Sequence, residues 1–377
     1  MNLRTFFTDP AIQLPIVRNS NDFQGFVDGL LDTYLAKISE LTAPAEIVAL
    51  IREQQPAIAA FCVAGKAVVK AALAGDLQGA YSSFEQGIKN LEPHLLKQEL
   101  ANYSSEALGF CYRVRVHRGE SLDREGLFHI PFENRHLVAT QRYSVPGLPC
   151  LYLGGSLYTC WAEMGRPPFH ELYAAAFWLK PEQTVKLLDF TNRPARLLLF
   201  LNAEGDAEPL RRDFLTTHVI LWPLMALCSI PVLHRSAPFK PEYILPQIVL
   251  QWVSKNHKFD GVCYFSTHVA AVTRLPLPPC NIIFPARGFK ARGRCEWLRE
   301  RFKMTEPHPW ELLRAVKIEE GGGYFPPPSF QFEFVKGKPE MYYKTEFGLV
   351  QMRLNKLAYD IARRNADGEL DLGTVAE

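Results

Sequence analysis

The sequence lacks the signatures of several common enzyme classes. None of its eight cysteines falls in a C-x-x-C pair, and its histidines match no metal-ligand spacing, so we expect no metal site. It contains no Walker motif and no Gly-x-Gly-x-x-Gly, so neither nucleoside triphosphate hydrolysis nor Rossmann-type redox chemistry is supported. Most cysteines lie among apolar neighbours, which predicts reduced thiols packed in a core.

The chain also lacks a strong excess of charge of either sign. It has 42 basic and 40 acidic side chains, a formal net charge of +2. Such a balance creates no long-range field toward nucleic acid or anionic lipid, so an anionic ligand must be held by a local cluster of donors. A basic run from Arg287 to Lys303 is diluted by Glu296 and Glu300, and we interpret it as a solvated face rather than a nucleic-acid surface.

Long apolar runs are missing as well. No stretch reaches the roughly 18 consecutive apolar residues that a membrane-spanning helix needs. Residues Met1 to Ile16 show no basic region followed by an apolar region and a cleavage site. The sequence therefore predicts a cytoplasmic protein with no membrane segment.

The amino-terminal third has a helical period. At 377 residues with 47% hydrophobic composition, the chain is long enough for two domains. Apolar side chains recur at three- and four-residue intervals over Phe23–Ile38 and Leu77–Leu91, and Pro56 is well placed to start a helix between them that runs to Leu73. We predict a small helical module over residues 1–106.

Near Leu108 the period changes from helix to strand. Phe110 to Val116 alternates apolar and polar residues, and the alternation puts Arg113 and Arg115 on one side. Later strands and helices are mixed without regular βαβ alternation, which favours an α+β domain over residues 107–287. We predict that a carboxyl-terminal extension over residues 288–377 packs on this domain. The further predicted strands are Cys150–Leu153, Leu172–Leu179, Thr184–Asp189, Gly261–Phe265 and Asn281–Phe284; the further predicted helices are Ser156–Met164, Leu210–Leu227, Tyr243–Ser254 and Phe347–Arg364; Gly321–Pro328 is predicted to be loop.

One constellation stands out between Arg142 and Glu163. A Pro-Gly turn leads from Arg142 into a strand bearing Tyr152, and after Gly154-Gly155 comes Ser156, a natural N-cap for a helix that carries Glu163. A second strand, starting at Gly261, ends at Ser266. Taken singly, these residues fit an ion pair, core packing or a strand-end cap; their joint occurrence favours a functional site.

These segments resemble the RES family, named for its arginine, glutamate and serine and known from NAD-degrading toxins of bacterial toxin-antitoxin pairs. The matching positions are Arg142, Tyr152 and Glu163, with Pro146-Gly147 between the first two, and then a late Gly-x-x-Tyr-x-Ser that ends at Ser266. An early strand arginine matches Arg113. Tyr143-Ser144 departs from the aromatic-Asn pair that usually follows the arginine. The resemblance covers residues 108 to about 287.

The resemblance implies a fold like the ADP-ribosyltransferases, a split twisted sheet with flanking helices that grips NAD. It implies Glu163, Arg142 and Ser266 as catalytic residues, and Arg113, Tyr152, Arg142 and Ser266 as NAD-binding residues. The residue types suit this chemistry: cleaving the nicotinamide-ribose bond passes through an oxocarbenium-like centre that one carboxylate can stabilise, and arginines hold pyrophosphate through forked hydrogen bonds.

The leading hypothesis is thus an NAD glycohydrolase or phosphorylase acting as a toxin or defence effector, with NAD as substrate. An ADP-ribosyltransferase acting on a macromolecule and a non-catalytic module that senses NAD or a related nucleotide remain alternatives. An antitoxin or regulatory protein is the expected partner. The acceptor, the role of the helical module and homo-oligomerisation stay open.

Overall fold

The computed structural model describes residues 1–101, 109–119, 121–201, 208–269, 280–315, 331–335 and 338–366. The chain forms two compact units, and neither is continuous in sequence. Unit 1 comprises Met1–Gln98, Ala139–Pro146 and Leu188–Val262; unit 2 comprises Glu99–Val138, Gly147–Leu187 and Cys263–Glu377. The predicted α+β class with a helical amino-terminal region is confirmed, whereas the likeness to ADP-ribosyltransferases stays a prediction.

Most predicted elements lie within a few residues of their observed bounds, and the predicted loop Gly321–Pro328 lies outside the described residues. The helices are α1 Leu3–Thr8, α2 Phe23–Ser39, α3 Ala45–Leu73, α4 Leu77–Lys89, α5 Arg124–Leu127, α6 Leu157–Glu163, α7 Pro194–Leu197, α8 Glu208–Ser229, α9 Ile244–Asn256, α10 Glu296–Arg301, α11 Trp310–Ala315 and α12 Glu346–Ala366. The strands are β1 Lys97–Ala101, β2 Cys111–Val116, β3 Cys150–Gly154, β4 Leu172–Leu179, β5 Thr184–Phe190, β6 Gly261–Phe265, β7 Cys280–Pro285, β8 Phe302–Met304, β9 His308–Pro309, β10 Gln331–Val335 and β11 Lys338–Met341.

Unit 1 is a helical assembly around α3, which packs against α2, α4, α8 and α9. An aromatic pair helps to join α2 to α8: the rings of Tyr34 and Trp222 stack with centroids 4.3 Å apart. The Trp222 indole N–H also donates to the carbonyl of Ile12 at 2.8 Å. Residues 188–262, which the sequence assigns to the catalytic domain, therefore group with the amino-terminal helices because α8 and α9 pack against α3.

The prediction that Pro56 starts a helix is wrong. Helix α3 begins at Ala45, and Pro56 lies in its interior. A proline there removes one backbone hydrogen bond, but apolar residues on both sides of it, Ile51 and Ile58 among them, are buried, so packing outweighs the local cost. By length and composition α3 could also cross a membrane, and 33% of its most apolar window is buried inside the protein; core helices of soluble proteins meet the same criterion.

A nine-stranded sheet, most of which belongs to unit 2, has the order β1-β5-β6-β7-β3-β2-β4-β8, with β9 also paired to β4. Strands β7, β3, β2 and β4 pair with one another in that order, each pair antiparallel. Every residue of β4 is buried, and its side chains alternate between two apolar clusters. The sheet is therefore covered on both faces, one by α6, α11 and α12, the other by the segment around Phe128 and by α10.

The described part of the carboxyl-terminal extension contributes directly to the first of these clusters. Helix α12 buries Phe347, Val350 and Leu354 there. Its polar residues are buried too: Asn355 accepts a hydrogen bond from the Tyr112 hydroxyl, and Gln351 accepts one from the main-chain N–H of Leu157 at 3.0 Å. The extension thus holds the first turn of α6, the helix that carries Glu163.

Candidate functional site

Helix α6 is set against the sheet by its first residues. The Ser156 hydroxyl accepts a hydrogen bond from the N–H of Thr159 at 3.1 Å, which confirms Ser156 as the N-cap. The preceding Gly154 has no side chain for a steric reason: a Cβ there would lie 2.5 Å from the Cys160 sulfur. The Gly-Gly break therefore lets α6 approach β3 closely, and Glu163 follows as the last residue of the helix.

The Glu163 carboxylate is held through one of its two oxygens. Its Oε1 accepts hydrogen bonds from the Ser266 hydroxyl at 2.6 Å and from the Asn281 amide at 2.8 Å. Ser266 is fully buried and Asn281 nearly so, while the Glu163 side chain is 28% exposed. The Ser266 oxygen also accepts from the N–H of His268 at 3.1 Å. Two buried donors thus fix the orientation of a partly exposed carboxylate.

The second oxygen of Glu163 has a different environment. Within the described ranges, Oε2 accepts no hydrogen bond, and the His268 Nε2 lies 3.9 Å from it. That separation is too long for a hydrogen bond. Oε1 is thus held by two donors, whereas Oε2 accepts no hydrogen bond from the described residues.

Tyr152 lies on the same face of the sheet as Asn281. It is directly opposite Ile283 in the β3–β7 ladder, and Gly154 is opposite Asn281 two residues along. Burial raises the pKa of the Tyr152 phenol well above its usual value, with smaller contributions from Cys150 and Tyr264. The group is therefore a neutral aromatic ring with a hydroxyl.

Arg113 lies on the other face of the sheet. It is opposite Ala175 in the β2–β4 ladder, and its guanidinium donates to the carbonyls of Leu127 at 2.7 Å and Tyr152 at 2.8 Å. Burial lowers the pKa of Arg113 to about 10. These contacts tie Arg113 into the fold, and its role in holding pyrophosphate stays a prediction.

Arg142 belongs to unit 1, whereas the other predicted site residues belong to unit 2. Its Nη1 donates to the carbonyls of Ile230 at 2.9 Å and Cys228 at 3.3 Å, where α8 ends. The guanidinium also lies over the Tyr243 ring at 5.3 Å. Arg142 therefore satisfies carbonyls at a helix carboxyl terminus, and its catalytic role stays a prediction.

The sequence did not point to Asn281 as a site residue. For Asn281 to Phe284 the sequence predicts only a strand, because the other residues of this segment are apolar. The available signal is Asn281 itself, a polar residue near the start of an otherwise apolar strand. The motif assigns no role to His268, which follows Ser266 by two residues. Among the described residues, no group of three or more His, Cys, Asp or Glu side chains could hold a metal ion.

No family model and no solved structure match the chain. It is similar to the Bacillus subtilis (strain 168) protein named "Putative toxin YopC", with 32% identity over 287 residues. The similarity covers 74% of this chain and 64% of that protein. The aligned stretch is longer than the predicted catalytic segment 107–287, so it extends into the flanking regions. The chain is thus similar to a protein that carries a toxin name, along a stretch that exceeds the candidate site.

Proposed function

We propose that this chain is a toxin that degrades NAD by cleaving its nicotinamide-ribose bond, with Glu163 as the catalytic carboxylate. The observation that carries the proposal is the hydrogen bonding of Glu163 to Ser266 and Asn281, which orients a partly exposed carboxylate beside the end of β6 and the start of β7. The toxin name of the similar protein supports the biological role, and the RES-type pattern supports the substrate.

The proposed step needs no general acid. The bond between the ribose C1′ and the nicotinamide nitrogen breaks, the electron pair leaves with neutral nicotinamide, and positive charge develops at C1′. The Glu163 carboxylate stabilises that charge electrostatically. An oxygen of water or inorganic phosphate then bonds to C1′, and when water is the acceptor its proton passes to the solvent.

Other residues have supporting roles in this proposal. Ser266 orients Glu163 through its hydroxyl, and the neutral ring of Tyr152 stacks on the nicotinamide. A role for Arg142 in holding the pyrophosphate rests on the RES-type pattern alone. Ser266 is not proposed as a nucleophile, because its hydroxyl donates to a carboxylate that is itself shared with Asn281.

The proposal is tested with the purified full chain, NAD and chromatographic detection of nicotinamide. The wild-type protein should release nicotinamide catalytically, and Glu163→Gln, which keeps the shape but removes the charge, should lower the rate by at least about a hundredfold. Glu306→Gln is the matched control, since Glu306 is an exposed carboxylate of unit 2 paired with Arg124. Undiminished release by Glu163→Gln would reject the assigned role.

A further inference from the structure

Asn281 occupies a position where an apolar residue would be expected. It is the second residue of β7, followed by the buried Ile282, Ile283 and Phe284. Its own side chain is only 7% exposed. A buried amide needs hydrogen bonds to offset the free-energy cost of removing it from water. The Asn281 Nδ2 donates such a bond to Glu163 Oε1 at 2.8 Å.

The main chain around Asn281 fixes where that amide points. Asn281 is opposite Gly154 in the β3–β7 ladder, and the N–H of Gly155 donates to the carbonyl of Cys280 at 2.9 Å. A Cβ on Gly155 would lie 2.9 Å from the Cys280 sulfur. The glycine pair thus brings the start of β7 close to the chain that leads into α6, and the amide reaches the end of that helix.

Asn281 and Ser266 bind the same carboxylate oxygen. Hydrogen bonds to a carboxylate are stronger than those between neutral groups, and two of them on one oxygen restrict rotation of the carboxylate plane. Oε2, by contrast, accepts no hydrogen bond from the residues described. The two donors therefore distinguish the oxygens of an otherwise symmetric group.

We propose that Asn281 is a positioning residue that, together with Ser266, reserves Oε1 of Glu163 so that Oε2 is the oxygen facing the reacting sugar. This inference rests on the proposed NAD cleavage. An amide suits the role because it donates a hydrogen bond without titrating. An aspartate at this position would place a second negative charge against Oε1, and a leucine would leave Oε1 with one donor fewer in a buried setting.

The test compares Asn281→Ala, Asn281→Asp and a matched control, Asn355→Ala, in the full chain. Asn355 is also a buried asparagine of unit 2, but it accepts from Tyr112. Asn281→Ala should lower kcat about ten- to a hundredfold, the order of removing one oriented donor, with KM changed less than about threefold. Asn355→Ala should lower the unfolding midpoint and leave kcat within about twofold for the folded fraction.

The isosteric Asn281→Asp variant separates positioning from packing. Near neutral pH it should be less active than Asn281→Ala, because two carboxylates then face each other. As pH is lowered it should gain activity relative to Asn281→Ala, since a protonated carboxyl group can again donate to Oε1. A folded Asn281→Ala variant with kcat within twofold of wild type, or no relative gain for Asn281→Asp, would overturn the inference.

A readout without turnover keeps the two proposals separate. In ¹⁵N-labelled wild-type protein, the Asn281 side-chain amide resonance should move on Glu163→Gln and not on Glu306→Gln. Absence of nicotinamide release by the wild type rejects the proposed function, whatever this resonance does. An unmoved resonance, or an unaffected Asn281→Ala in an active enzyme, rejects the positioning role alone.

Discussion

At the residue scale, His129 is a buried polar side chain with a structural role. It is fully buried, its Nδ1 donates to the carbonyl of Ile130, and its Nε2 accepts from the N–H of Cys295 at 2.9 Å. Desolvation by burial, reinforced by the nearby Arg294, lowers the pKa of His129 to about 4. A proton on Nε2 would break the hydrogen bond from the Cys295 N–H. The folded state therefore favours the neutral ring.

His129 therefore makes stability depend on pH in a defined direction. Its folded pKa lies below the value of about 6.5 for an unfolded histidine, so as pH falls from about 6.5 to about 4 the unfolded chain binds the proton first. The free energy of unfolding should decrease over that window by up to about 3 kcal/mol from this residue. His129→Gln should flatten the urea-unfolding difference between pH 7 and pH 5 relative to wild type; an unchanged difference would contradict this assignment.

The site residues differ in how far sequence alone could predict them. Glu163 and Ser266 are carried by motifs with specific residue types, and the structure brings their side chains into hydrogen-bond contact. Asn281 joins the same carboxylate from a strand more than a hundred residues away. That contact depends on the β3–β7 register, which no local pattern determines.

At the element scale, α6 and α12 are coupled by buried polar contacts. The fully buried Gln351 of α12 accepts hydrogen bonds through one oxygen from the Tyr342 hydroxyl at 2.7 Å and from the N–H of Leu157 at 3.0 Å. Leu157 begins α6. The carboxyl-terminal helix thus satisfies a donor at the start of the helix whose last residue is Glu163.

Replacing Gln351 should destabilise unit 2. Gln351→Leu keeps the approximate volume but removes the acceptor of the buried Leu157 N–H, which should cost about 1–3 kcal/mol. Chemical denaturation monitored by tryptophan fluorescence measures the loss. Asp360→Asn, at an exposed position of the same helix, should change the free energy of unfolding by less than about 0.5 kcal/mol. Equal stabilities for Gln351→Leu and wild type would refute this coupling.

Helices α6 and α3 mark the limits of local prediction. The bounds of α6 follow from its N-cap serine and the flanking glycines, which act within a few residues. The start of α3 does not, because Pro56 is a strong local stop signal, and residues Ile47, Val48 and Ile51 before it are buried in the helical core of unit 1. Burial by distant helices outweighed the local rule.

At the scale of the whole molecule, the two units interleave along the chain. The hydrophobic period of the sequence predicts three consecutive regions, because it changes from helical to alternating near residue 108. It could not reveal that residues 188–262 return to the helices of unit 1, since helix packing depends on apolar faces that meet only in the folded protein.

This interleaving predicts the behaviour of a truncated chain. A fragment of residues 107–377 keeps α8 and α9 but lacks α2, α3 and α4, and α3 packs against both retained helices. Their apolar faces, with Leu224 and Val249 among the buried residues, would be exposed to water, so we expect the fragment to aggregate. Size-exclusion chromatography tests this expectation. A soluble, monodisperse fragment with cooperative unfolding would show instead that residues 107–377 fold independently.

The central claim is that the full chain breaks the nicotinamide-ribose bond of NAD at Glu163. The most direct measurement follows NAD labelled in both the nicotinamide and the adenylate halves during incubation with the full chain. We predict many turnovers per protein, with free nicotinamide and a free ADP-ribose product formed in equal amounts, and a rate at least about a hundredfold lower with Glu163→Gln. Label retained on a macromolecule would indicate transfer, and NAD that is bound but remains intact would contradict the claim.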